Sequence, residues 1–298
     1  MAGESEETQR KGQQTLRWQS QAVLLALVPV IAIWVTLAAG QAWQIAHGPV
    51  LEAAAISLGF ATIVFVLRAA TAGGALTGGL ITAALYLQAP GLHTALWPLS
   101  ALVVLTYAAT RFGRKRKEAL GTAEGRHGRR ASQVAANLGV AALAGIPLRE
   151  ALGFGPIIFQ SRAALVAMVA AMAEATADTL SSEIGQVLGA VPRLVITFGR
   201  VPAGTDGAVS AVGSIAGCAG AAAVTAVAAW ALPLSRGEGL IAFAAGLAGL
   251  FIDSLLGAIP ERRGWLNNDA VNALSTVAAA VLAAYACRWF RIDLPSLL

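Results

Sequence analysis

Three carboxylates close a long apolar run in the segment AEATADTLSSEIGQ, residues 173–186. Glu174 and Asp178 stand four apart, so on a helix they share a face; Ser182 extends that face and Glu183 follows it. An ionisable group near the centre of a membrane helix costs on the order of 2.5–3.5 kcal/mol, so each needs a partner or a role. Carboxylates this crowded repel one another unless a cation joins them. Carboxylate and hydroxyl oxygens suit Mg²⁺, which keeps waters and shares substrate phosphates. The competing reading is a helix end whose acids are simply solvated.

Three further polar clusters interrupt the apolar chain. PRLVITFGRVPAGTDGAVS, 192–210, offers Arg193 and Arg200, a loop set by Pro202, Gly204 and Gly207, and the pair Thr205 and Asp206 just before a helix start. A free helix N-terminus favours an anion, and Asp206 serves equally well as a plain N-cap. LVITF within it reads as a short strand or an interfacial piece. In the third cluster, Asp253 lies inside a helix with Gly249 and Gly257 at four-residue spacing. NNDAVN then places Asn268 and Asn272 on one face, with Asp269 beside them and Thr276 beyond. Four such groups exceed what capping a helix requires. The fourth cluster is Arg68, Thr71, two glycines and Thr77, a glycine-rich turn opening a helix beside an arginine. The metal set expected from these clusters is Asp178, Glu183, Asp253 and Asp269.

The elements that position these groups follow from composition. Of 298 residues, 57% are hydrophobic and only 12% charged, about half the roughly 25% of a soluble domain. Mean hydropathy is +0.68. A soluble or disordered protein is excluded. The expected fold is all-α: a polytopic transmembrane bundle of about nine spans, eight to ten being compatible, packed through Gly and Ala. Residues 1–20 read as a polar tail and 21–298 as one integral membrane domain. Spans are expected near 21–43, 50–68, 73–89, 95–112, 132–146, 157–177, 207–232, 238–258 and 270–289. Trp18, Trp43, Trp97, Trp230 and Trp289 fall at span ends, where indoles prefer to lie, whereas Trp34 is expected to pack.

With the N-terminus in the cytoplasm, 16 of the 21 Lys and Arg residues fall inside and 5 outside. That is a strong positive-inside asymmetry, and it places all four clusters at the cytoplasmic face. The basic loop 111–131 is read as setting orientation and meeting anionic lipid. Nucleic acid is not an expected partner. Several chemistries drop out: no GxxxxGK[ST], HExxH, CxxC or GxSxG occurs, and only three lysines exist in the chain. Cys218 and Cys287 lie in apolar stretches and suggest packing.

The segments RAATAGGALTGG (68–79), QVAANLG (133–139), ADTLSSEIG (177–185), VPAGTDGAVS (201–210), DSLLGA (253–258) and NNDAVN (267–272) together resemble an integral membrane family, domain of unknown function ninety-two. That family includes the plant chloroplast phytyl-phosphate kinase, and the likeness covers about 55 to 280. The resemblance implies a CTP-dependent kinase that converts an isoprenoid monophosphate to its diphosphate, with Mg²⁺ as the metal. The expected partners are that membrane lipid and a nucleotide, in a bacterial inner membrane. On the chemical argument, Asp178, Glu183 and Asp253 act at the reacting phosphate. Arg68, Thr71, Thr77, Ser182, Arg193, Arg200, Gly204, Thr205, Asp206, Gly207, Asn268 and Asn272 bind substrate or nucleotide. An ion-coupled transporter is the rival class. A cytidylyltransferase that leaves CMP on the lipid is the rival reaction.

Overall fold

In lipid a backbone can satisfy its own polar groups only as a helix or a closed barrel. These Ala- and Leu-rich stretches take the helical solution. The structure, a computed structural model, describes residues 16–125, 127–146, 162–189, 191–232 and 234–290. Most of the polar tail, the expected span start at 157–161, Arg149 and Arg291 lie outside the described residues.

Helix α1 spans Arg17–Ile45, α2 Gly48–Val66, α3 Ala72–Gln88 and α4 Leu96–Arg111. A short α5, Arg114–Leu120, lies within the basic loop. Helix α6, Ala131–Ala144, carries a π turn at Ala135–Gly139. Then come α7 Arg162–Leu188, α8 Ala211–Ala231 and α9 Arg236–Leu256. A second π turn, Gly257–Glu261, continues α9, and α10 spans Asn268–Trp289. Between α7 and α8 an antiparallel ribbon pairs β1, Arg193–Leu194, with β2, Ala208–Val209.

Nine spans are not borne out by length. Six helices among the described residues are long and apolar enough to cross a membrane: α1, α2, α7, α8, α9 with its π turn, and α10. The segments expected at 73–89 and 95–112 form helices of 17 and 16 residues. At 1.5 Å per residue these fall short of a hydrocarbon core about 30 Å thick. The segment expected at 132–146 is shorter still and is broken by its π turn. Two boundaries also move. The helix expected to end at 177 continues to Leu188, and the one expected from 207 starts at Ala211. Of LVITF only Leu194 joins a strand, because Phe198 turns the chain at φ +55°.

Helix α7 is the hub. It packs against α8, α9, α10 and α4, and it is buried along Val166–Ala177. Its many alanines let four neighbours approach closely, as small residues do between membrane helices. Helices α1 and α2 are peripheral and turn Leu25, Ile33, Leu37, Leu58 and Ile63 outward. The five tryptophans expected at span ends are all exposed, and Trp34 is buried.

The loops sort to two ends of the bundle. At one end the turn after α2 meets the end of the basic loop: the Arg129 N–H donates to Ala69 O and the Thr71 N–H to Arg129 O, both at 3.0 Å. The same basic loop reaches α7 through Thr122, whose hydroxyl meets Gln186 Oε1 at 2.6 Å. Gln19 and Asn267 join the start of α1 to the start of α10. At the other end Arg162 pairs with Glu238. Thus the loops carrying all four clusters gather at one end.

Candidate functional site at the loop-rich end of the bundle

The carboxylates of α7 and α9 converge. Asp178 and Asp253 lie within hydrogen-bonding reach of each other. Glu174 sits one turn deeper on α7 and Glu261 in the second π turn, both near enough to interact electrostatically with them. Gly249 makes this possible. A Cβ there would lie 2.6 Å from Glu174 Cγ and 2.8 Å from Ala279 Cβ, so α7, α9 and α10 meet only because that position is bare. Glu174 is 1% exposed, and its Oε2 has no hydrogen-bond partner among the described residues. A buried carboxylate oxygen left without a partner is costly.

Helix α10 supplies the polar wall. Ser275 donates to Asp253 Oδ2 at 3.1 Å. Asn272 donates to Asn137 Oδ1 at 3.0 Å, tying α10 to the π turn of α6. Thr276 is back-bonded to the Asn272 carbonyl and meets the Ala136 carbonyl at 3.3 Å. π turns are frequent at functional sites, and here one presents Asn137 and the other Glu261.

Arg129 supplies positive charge. Its guanidinium donates to Thr179 Oγ1 at 3.2 Å and lies close enough to Asp178 to attract it. The basic loop, read from sequence as an orientation and lipid signal, thus sends one arginine into the site. Gly74 and Gly128 allow this docking. A Cβ on Gly74 would stand 2.3 Å from Arg129 O, and Gly128, at φ +75°, lies against the Ala69 carbonyl.

The predicted residues divide. Asp178 and Asp253 come together as expected. Glu183 stays close enough to Asp178 to interact electrostatically but is already paired: Lys117, fully buried, donates to it at 2.5 Å and to the Ala109 and Thr110 carbonyls. Asp269 is 3% exposed on the first turn of α10, its Oδ2 without a hydrogen-bond partner among the described residues. Asn272 faces inward, whereas Asn268 is exposed. Thr71 is the N-cap of α3, accepting from the Gly74 N–H at 3.2 Å; Thr77 and Ser182 are back-bonded within their own helices. Arg193 donates to the Phe198 carbonyl at 2.8 Å, and Arg200 is exposed in the same hairpin.

The loop 201–207 docks over the second π turn. Gly207, at φ +70°, places its Cα where a Cβ would lie 2.2 Å from Ala258 N. Gly204, at φ +85°, packs on Thr122, and Thr205 donates to the Pro202 carbonyl. Asp206 is not the cap of α8; Ser210 is, accepting from the Gly213 N–H. Withdrawal from water pushes the Asp206 carboxyl up from its usual range, and Arg262 opposes that rise in part. Sequence reasoning missed Arg129, Lys117, Asn137 and Ser275. The first two are hidden in a run of like charges, the others in apolar text.

All donors at the meeting of Asp178, Asp253 and Ser275 are hard oxygens, the set Mg²⁺ prefers. Among the described residues no three Asp, Glu, His or Cys side chains converge tightly enough to hold a metal alone. Any Mg²⁺ bound here would therefore share waters or phosphate oxygens.

Residues 55–280 match the family described as integral membrane protein DUF92. The chain belongs to that family. An uncharacterized membrane protein of Synechocystis is 35% identical over 61% of this chain and 71% of its own length. An uncharacterized membrane protein of Methanocaldococcus jannaschii is 38% identical over 44% of this chain and 57% of its own. Protein VTE6, chloroplastic, of Arabidopsis thaliana is 30% identical over 62% of this chain and 56% of its own. The chain therefore spans little more than half the length of the last two. No solved structure matches it. The DUF92 member is an integral membrane protein, and every segment that carried the resemblance lies at the loop-rich end or on the helices leading to it.

Proposed function

We propose that this DUF92 protein is an isoprenoid-phosphate kinase that transfers a phosphoryl group, from CTP, at the cytoplasmic end of its bundle. The observation that supports it most is the meeting of Asp178 and Asp253 beside Arg129, at the end where the loops carrying the polar clusters gather. The likeness to the family of the plant phytyl-phosphate kinase supports the substrate class. Phosphoryl transfer asks the protein mainly for positioning and charge neutralisation. A phosphomonoester acceptor is already nucleophilic at neutral pH, so no general base is required. No histidine stands among the described residues of the site, which agrees with that.

Asp178 and Asp253 would hold Mg²⁺, which neutralises phosphate charge when bound. Ser275 orients the Asp253 carboxylate through its hydrogen bond. Asn272 and Asn137 lock α10 to α6 and keep that orientation. Arg129, beside Asp178, would attract phosphate oxygens. The loop 201–207, with Thr205 and Asp206, would cover the nucleotide, and Arg193 or Arg200 of the adjoining hairpin would meet its outer phosphates. Glu183, already paired with Lys117, would anchor the basic loop and take part in metal binding only if Lys117 released it.

The test is a product analysis. Purified protein is incubated with Mg²⁺, CTP or ATP and a panel of prenyl monophosphates, and the lipid is read by mass spectrometry. A prenyl diphosphate with one nucleoside diphosphate per turnover is expected. A CDP-lipid would replace the kinase by a cytidylyltransferase. No turnover with any lipid, together with nucleotide-independent flux in vesicles, would replace it by a carrier.

A further inference from the structure

A cavity lies between α2, α3, α4, the π turn of α6 and the end of the basic loop, and shares Arg129 and Asn137 with the candidate site. Its walls are apolar: Phe60, Val64, Leu102, Val103 and Leu138. Its polar rim carries four arginines, Arg68, Arg111, Arg114 and Arg129, against one acid, Glu124. Three of the four are already engaged. Arg111 donates to the Leu67 carbonyl and stacks on Tyr107. Arg114 pairs with Glu118. Arg129 reaches across to Thr179. Among the described residues, Arg68 alone of the four makes no side-chain hydrogen bond or ion pair.

Arg68 also occupies a backbone position that does not suit it. It follows Leu67, the C-cap of α2, at φ +54°, where the next two N–H groups turn back to the Val64 carbonyl. That left-handed site is ordinarily filled by glycine, because a Cβ is penalised there. Strain of this kind persists where function requires the side chain. An apolar slot with a surplus of positive charge at one end complements one molecular form, a single hydrocarbon chain ending in a phosphomonoester.

We infer that this cavity is the acceptor site and that Arg68 is kept in its strained position to hold the acceptor's phosphate, which Arg129 shares with the carboxylate site. This assignment rests on the kinase reading for its chemistry, but it is testable by binding alone. The full-length protein in detergent is titrated with farnesyl monophosphate, farnesol, inorganic phosphate, phosphatidic acid and Mg-CTP. Arg68→Gly, and Arg68→Asn as a second variant tolerant of the same backbone, remove the guanidinium while easing the strain. Both should keep or raise thermal stability. Both should weaken farnesyl monophosphate by about tenfold or more, the loss of one charge-assisted contact, and leave Mg-CTP and farnesol within about twofold. Val103→Trp should weaken farnesyl monophosphate and farnesol together and spare Mg-CTP.

Unchanged affinity for farnesyl monophosphate in both Arg68 variants would overturn the inference, even with the kinase active. Phosphatidic acid competing as well as farnesyl monophosphate would overturn the single-chain assignment. Arg68-dependent binding without phosphoryl transfer would leave the acceptor site standing and remove the kinase reading.

Discussion

Both ends of this bundle bury charge, and they treat it in opposite ways. At the loop-poor end Arg162 grips Glu238, whose carboxylate also caps α9 through the Ser235 N–H at 2.6 Å. That buried acid is paired. At the loop-rich end Glu174, Asp178, Asp253 and Glu261 gather, only Asp178 of them lies close to Arg129, and among the described residues one Glu174 oxygen has no hydrogen-bond partner. Burying charge has a similar cost at either place. The compensated end is architecture. On the proposed function, the uncompensated end is a site that a cation with phosphates would complete.

That contrast can be broken from either side. The largest effect belongs to Asp178→Asn, which should lower phosphoryl transfer on the order of 10³-fold, as loss of a main electrostatic contact at a reacting phosphate does, while the protein stays folded in detergent. Turnover near the wild-type rate would remove Asp178 from the site. Glu238→Ala should do the reverse. Removing the Glu238 carboxylate from Arg162 should cost about 2 kcal/mol of stability, reduced from the 3–5 of a fully buried pair because the arginine side chain is 40% exposed. Activity per folded molecule should hold. A catalytic defect at constant stability would contradict the assignment of that end.

Smaller changes sharpen the boundary. Gly207→Ala forces a Cβ onto Ala258 at positive φ and should raise the nucleotide KM several-fold with a loss of about 1–2 kcal/mol. An unchanged KM would separate the loop from nucleotide binding. The smallest effect concerns Asp206. Its carboxyl is raised by withdrawal from water, so the folded state binds the proton more tightly than the unfolded one. Asp206 therefore detracts from stability as pH rises through the window between its ordinary and raised values. Asp206→Asn should raise the thermal midpoint slightly at pH 7 and leave it unchanged at pH 3. An equal shift at both would point to packing.

Much of the fold was legible in the sequence, because apolar runs, tryptophans and charge asymmetry report directly on a membrane. Length arithmetic failed at α3, α4 and α6, where helices too short to span alone pack into the bundle beside longer ones. The acids Asp178 and Asp253 were legible because a carboxylate in apolar text is conspicuous. Arg129 was not, since it stands among seven other basic residues of one loop and only the docking of Gly128 on Ala69 singles it out. Lys117 was obscured in the same way, and its bond to Glu183 is a tertiary fact. Asn137 is a polar residue in an apolar helix, a signal the sequence carries but does not pair with Asn272.

The most direct test sets the two ends side by side. Labelled phosphate transfer from CTP to farnesyl monophosphate is measured with Mg²⁺ for the wild type, Asp253→Asn and Glu238→Gln, each at equal folded concentration. The account predicts farnesyl diphosphate from the wild type and Glu238→Gln, and none from Asp253→Asn. Diphosphate formed at equal rates by all three would show that the carboxylate end is not where the chemistry occurs.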